Sequence, residues 1–337
     1  MNTVEISSTN LTPENIQFSA AERETFRHPR TLRLVIDLTL PWLQAFFGVA
    51  LFLYSPGFFT WLIAVVLISG GQHGLSLVSH EAVHRLLWPT SKKINDFIAT
   101  YFFAAPSLLP FNVYRQRHLL HHRLVSMRGD TKTYYLRNLQ NGRWFSEIVR
   151  SITGIDYLVQ AMEALQSGKV SDDFDNFENN LSKDKRSLLI VHGAIFFAFF
   201  AVDPLHYGIP TYYVLLWLGP MVTVSLLFGK LRSIVEHQPP PEYEAARVET
   251  EFFKNTQGPM LRSVHATWPE RLILSKINFH YHAEHHLWPW ISYQHLPAVN
   301  HKIWSDIEPG TLRLINDNVI TCDKSYGNVL LKLVRGH

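Results

Sequence analysis

Four apolar runs limit what this chain can fold into, because each approaches the ~20 residues that a helix needs to cross the hydrocarbon core of a bilayer. Thr31 to Tyr54 holds Arg33, Asp37 and Gln44 as its strong polar exceptions, and after Ser55-Pro56 a second run extends from Gly57 to Ser79. Ser187 to Val202 and Ile209 to Phe228 form another pair around Asp203-Pro204 and a brief loop. Ile94 to Phe111 is apolar but interrupted by Asn95, Asp96, Pro106 and Pro110, which fits a re-entrant or interfacial helix. Only 18% of residues are charged, below the ~25% of ordinary soluble domains. The pattern predicts an all-α integral membrane protein with four transmembrane helices in two hairpins, about 31–54, 57–79, 187–204 and 209–228, plus the re-entrant helix. The polar remainder, 80–186 and 229–302, reads as a cap.

Loop charge orients the hairpins, since Lys and Arg are retained on the cytoplasmic side. Neither Ser55-Pro56 nor Asp203 to Gly208 contains a Lys or Arg, whereas the opposite ends of the runs carry Arg30, Arg33, Arg85, Lys92, Lys93, Lys183, Lys185, Arg186, Lys230 and Arg232. The cap, an N-terminal arm (1–30) and a C-terminal tail (303–337) are therefore expected in the cytosol. Met1 to Ala20 lacks the basic-then-apolar pattern of a cleaved signal peptide. A single cysteine, Cys322, excludes intrachain disulfides and cysteine-based metal sites. A net charge of +3 without a basic stripe gives no argument for a nucleic-acid partner.

The histidines gather beside these runs, in His80-Glu81-Ala82-Val83-His84, His118-Leu119-Leu120-His121-His122 and His282-Ala283-Glu284-His285-His286. Helix residues three and four apart share a face, so each box is expected to aim its imidazoles at one point. With 18 histidines in 337 residues, finding all three boxes is a coincidence of roughly one in a thousand. Eight imidazoles are more than one ion uses, which makes two metals sharing a site the economical reading. His237, beside Glu236 where the chain leaves the fourth run, is the candidate ninth ligand.

The three boxes, with two hydrophobic hairpins between them, resemble the membrane fatty-acid desaturase and hydroxylase family from Thr31 to Pro297, and Asn278 to Pro289 is especially similar to that family's third box. The resemblance implies a mushroom of four membrane helices under a cytosolic helical cap that holds a di-iron site. It implies His80, His84, His118, His121, His122, His282, His285 and His286 as ligands, with His237 matching an additional histidine between boxes two and three. It also implies O2 as co-substrate, an external electron donor and removal of hydrogen from an unactivated C–H bond. That chemistry needs a redox metal, which zinc is not. Glu81, Asp130 in Arg128-Gly129-Asp130, Glu236, Glu284 and Asn278, one helical turn before His282, are candidates to hold ring tautomers or a metal-bound water; surface salt bridges are the alternative for the carboxylates.

Two rivals come from other classes. His80-Glu81-Ala82-Val83-His84 is literally the zinc-protease signature H-E-x-x-H, but a protease leaves the other boxes unexplained. A metal transporter would want its ligands at mid-bilayer rather than after the spans. The short first box looks more like acyl-lipid or carrier-linked desaturases than the acyl-CoA type, which implies an acyl chain on a membrane lipid or carrier protein. A hydroxylase of a fatty acyl, carotenoid or other small substrate has the same boxes, and no residue decides between them. Neither end is long enough for a fused cytochrome, so a separate ferredoxin, rubredoxin or cytochrome is the expected donor, in the plasma or another internal membrane of a bacterium. His73 either lines the site or the substrate tunnel or is a packed polar residue near the interface, and His265 and His295 fall outside the box spacing. Asp37 reads as a residue snorkelling to the cytosolic edge.

Overall fold

The computed structural model describes residues 14–125, 130–131, 144–168, 174–202, 209–237, 260–316 and 318–335. Among them, four helices are long and apolar enough to cross a membrane. Helix α1 (Ala20–Arg27), opened by a Ser19–Glu22 capping box, leads into α2 (Thr31–Tyr54), the first of them. The second, α3 (Phe58–Val83), is the central helix of the bundle and is buried along most of its length. Outward-facing Leu32, Val35, Leu43, Phe46 and Phe47 of α2 are exposed, as a lipid-facing stripe requires, while Ala45 and Gly48 lie against α3. The approach is close enough to need glycine. A Cβ on Gly71 would sit 2.6 Å from the Pro41 carbonyl oxygen and 2.8 Å from Ala45 Cβ. Helix α3 runs past Ser79, so the first histidine box is its final turn, and Arg85 with φ of 61° ends it.

The interrupted apolar stretch is a broken element. Helix α4 (Lys92–Ala99) continues through a π-helical turn (Thr100–Ala104) and a 3-10 turn (Ala105–Ser107), then bends by 93° into α5 (Phe111–Leu124), which carries the second box. Left-handed Leu108 and the two prolines, which cannot continue a helical hydrogen-bond ladder, account for the break. Helices α6 (Trp144–Ile152) and α7 (Ile155–Gly168) follow. Their inner face is fixed by a buried charge cluster, in which Lys230 meets Glu147 and, at 2.7 Å, Asp156. Their outer face exposes Phe145, Ile152, Leu158 and Met162.

The third apolar run, short in the sequence, belongs to the 29-residue helix α8 (Phe174–Val202), of which Asn179–Val202 meets the criteria for a span. The loop expected at 203–208 lies outside the described residues. The fourth span, Thr211–His237, includes most of α9 (Ile209–Tyr213), then π-helical Val214–Leu218 and Met221–Ser225, then α10 (Leu226–His237). It ends more than two turns beyond Phe228, so Glu236 and His237 ride on the membrane helix itself.

The cap adds a feature absent from the sequence reading, a three-stranded sheet. Central β3 (Asn318–Asp323) pairs parallel with β1 (Met260–Val264) and antiparallel with β2 (Leu312–Ile315). Leu261, Arg262, Ser263 and Val264 are all buried, so β1 lacks the polar and apolar alternation that reveals a strand. Short helices α11 (Trp268–Ile273), α12 (His282–Leu287) and α13 (Leu296–Trp304) lie between β1 and β2, and α14 (Tyr326–Arg335) follows β3. Asp37 differs from its expected snorkelling role. It is buried, and one carboxylate oxygen accepts from Arg33 Nε at 2.8 Å and from the Tyr293 hydroxyl at 3.0 Å, tying the start of α2 to the cap.

Replacing Gly71 with alanine should cost about 1–3 kcal/mol through overpacking. In a thermal-unfolding series on detergent-solubilised protein its midpoint should drop, while Gly193→Ala, where a Cβ meets nothing within 4 Å, should not lower it.

Candidate metal centre

Each histidine-bearing segment is fixed by groups remote in sequence. Pro110 precedes α5 and has no side-chain acceptor to offer, so Asp184 from α8 serves as the cap instead. Its carboxylate accepts from the backbone N–H of Asn112 and Val113, each at 3.0 Å, and from Asn112 Nδ2 at 2.8 Å. Arg115 bridges α5 to Asp96 on α4. Helix α12 is only six residues long and is held to β1: the Ala283 N–H donates to Ser263 Oγ at 3.0 Å, and Ser263 donates to Glu284. Glu284 also accepts from Asn300 Nδ2 at 2.7 Å and Trp304 Nε1 at 3.1 Å on α13. Burial raises the Glu284 carboxyl above its usual range, against the pull of those three donors.

The imidazoles converge in two groups. His80, His84, His118, His122 and His285 bring one ring nitrogen each within 4.8 Å of one another. His121, His237 and His286 form a second set by the same measure, and His282 joins it through His237, Nε2 to Nε2 at 2.9 Å. The expectation that each box aims at one point is corrected for boxes two and three, which are each divided. The i,i+4 pairs His118/His122 and His282/His286 stay together, as does His80/His84 in box one, whereas His121 and His285 reach the other group. Adjacent helix residues point about 100° apart, so an H-x-x-H-H helix placed between two sites serves both. The groups abut, with the His122 and His286 rings stacked 4.1 Å apart.

The donor set fits metal ions. His286 Nε2 is buried and has no hydrogen-bond partner among the described residues. Burial, reinforced by the neighbouring imidazoles, holds the His286 ring well below the ordinary histidine range and hence neutral, the form that ligates.

The remaining predicted residues take distinct places. Asp130 Oδ1 is 2.7 Å from His121 Nδ1, both groups buried, while Arg128 and Gly129 lie outside the described residues. Glu236 Oε2 is 3.5 Å from His282 Nε2 and 2.5 Å from Arg232 Nη1, and its other oxygen accepts from the Tyr326 hydroxyl at 3.1 Å. Glu81 accepts the Tyr293 N–H at 2.9 Å. Asn278 is not one helical turn before His282: left-handed Ile277 and Asn278 keep α12 from starting before His282, and Asn278 donates to the Tyr293 carbonyl at 3.2 Å. His73 bonds the Leu274 carbonyl, His265 lies beside Cys322 and His295 reaches the His28 carbonyl, all outside the two groups. Sequence reasoning missed Asp184, Arg232, Tyr293 and Tyr326. Arg232 alone had a local signal, one helical turn before Glu236.

Residues 56–315 match the family described as fatty acid desaturase. The chain belongs to that family. A relative is the dihydrorhizobitoxine desaturase of Bradyrhizobium elkanii, 27% identical over 246 residues, which are 69% of this chain and 65% of that protein. In this desaturase-family chain the two histidines of the H-E-x-x-H of box one sit in a five-imidazole group, and its glutamate accepts a backbone N–H.

Asp184→Ala should strand the first N–H groups of α5 and cost about 1–2 kcal/mol. The unfolding midpoint of the purified protein should fall accordingly, with Asp184→Asn, which keeps one acceptor, falling less.

Proposed function

We propose that this chain is an O2-dependent di-iron oxidoreductase that desaturates a fatty acyl chain carried on a membrane lipid or carrier protein. The observation that carries the reading is the pair of abutting imidazole groups, five and four, in a member of the desaturase family. His80, His84, His118, His122 and His285 would hold one iron, and His121, His237, His282 and His286 the other. When bound, the two irons, reduced by an external ferredoxin, rubredoxin or cytochrome, supply dioxygen activation and hydrogen removal from an unactivated C–H bond.

The protein's part is to present the rings in fixed orientations. Asp130 accepts from His121 Nδ1 and thereby leaves Nε2 as the ligating nitrogen. Glu284, though inside box three, acts on α12 as a whole by locking it to β1 and α13. The name of the relative favours desaturation over hydroxylation. The ends of α3, α5 and the fourth span meet at these groups, and the lysines and arginines at those ends support a cytosolic site, with the loop at Ser55 on the opposite side.

Anaerobically purified protein should contain about two irons per chain; one zinc and no iron would refute the assignment. Mass spectrometry of lipids and small metabolites from cells with and without the gene should reveal a product about 2 Da lighter than its precursor, and a product about 16 Da heavier would mean hydroxylation instead. In intact cells an impermeant thiol reagent should label Ser55→Cys and spare Lys324→Cys until the membrane is opened; the reverse pattern would invert the topology.

A further inference from the structure

The two imidazole groups are unequal, and the smaller one has a carboxylate beside it. Glu236 precedes His237 on α10, is buried, and brings an oxygen within 4.8 Å of ligand nitrogens of both His237 and His282. We propose that Glu236 is itself a ligand to the ion held by His121, His237, His282 and His286, so that one metal position has five imidazoles and the other four imidazoles and a carboxylate. The inference rests on the di-iron reading above.

Three observations support it. His282 Nε2 faces His237 Nε2 at 2.9 Å and Glu236 Oε2 at 3.5 Å. A single proton on His282 can serve only one of those neighbours, whereas a cation between them serves all three atoms at once. Next, the carboxylate is oriented from both sides, by Arg232 Nη1 on Oε2 at 2.5 Å and by the Tyr326 hydroxyl on Oε1 at 3.1 Å. Oε2, the oxygen that takes the Arg232 bond, is also the one that lies 3.5 Å from His282 Nε2. Finally, Arg232 is held in place by its guanidinium lying 4.3 Å from the centre of the Phe279 ring, which in turn packs edge-on against His80. The carboxylate is thus built into the site by the fourth span, the C-terminal helix and the loop before box three. An anionic oxygen donor is harder than imidazole and stabilises the more oxidised state of its ion, which makes the two irons electronically unlike.

The competing role for Glu236 is that of counter-ion to Arg232 and nothing more. Iron analysis and Mössbauer spectroscopy of anaerobically purified, isotopically enriched protein separate the two. Wild type is expected to show about two irons per chain in two distinct doublets. Glu236→Gln should lose or alter the doublet of one iron and leave the other unchanged. The double variant Arg232→Met with Glu236→Met, which removes both charges, should show the same loss at normal levels of folded protein. If instead the double variant regains both wild-type doublets, Glu236 is only a counter-ion and the proposal is overturned. Tyr326→Phe guards against poor folding of the others: it should perturb the same single doublet while leaving protein yield intact, and unchanged doublets in that variant also refute ligation. Absence of iron from wild type would refute the di-iron reading itself, a separate outcome.

Discussion

Nine imidazoles crowded together, with ring nitrogens of four pairs 2.9 to 3.2 Å apart, are the constraint on which the rest of the structure depends. Protonated together they would repel, and buried together they lose the water that would otherwise solvate them. Burial holds the His84 and His286 rings below the ordinary histidine range, and the nine backbones are spread over four segments: the end of α3, the body of α5, the end of the fourth span and the short α12. None of these could hold such a site alone. Acidic side chains secure two of them, Asp184 of α8 capping α5 and α12's own Glu284 reaching out to β1 and α13, while Asp130 secures a ring directly.

Tyr293 shows how the membrane bundle and the cap are made one unit. Its N–H goes to Glu81, inside the first box, and its hydroxyl goes to Asp37 on α2. A segment just after box three thus bonds the first and second spans at the level of the site. Buried hydrogen bonds of this kind are costly to leave unmade, so they fix the relative placement of elements more than they add net stability. The same logic applies to Lys230 with Glu147 and Asp156, which fastens α6 and α7 to the fourth span while their other face stays apolar.

Much of this was legible in the sequence because membrane spans and histidine boxes are local patterns. A run of apolar residues announces its own length, and H-x-x-H-H announces a helix with imidazoles gathered on it. The division of boxes two and three between two groups was not legible, since spacing gives the angle between His121 and His122 but not what lies on either side. The sheet escaped for a related reason: β1 is covered on both faces and contains Arg262, whose charge is answered by Asp323 some 61 positions later. Asp184, Tyr293 and Tyr326 act across still longer separations, and no periodicity marks a residue whose importance lies in a distant partner. The third span looked short because its helix begins inside the cap, where polar residues hide its first turns.

The division of the boxes has a geometric consequence. Both α5 and α12 deliver side chains to both groups, and within each helix the directions of those side chains follow from backbone covalent geometry. The spacing between the two groups is consequently gauged by two rigid rulers laid across the gap, not by how tightly the surrounding core happens to fill. Strain arriving from the membrane helices would translate or tilt the pair as a single body before it changed the distance within it.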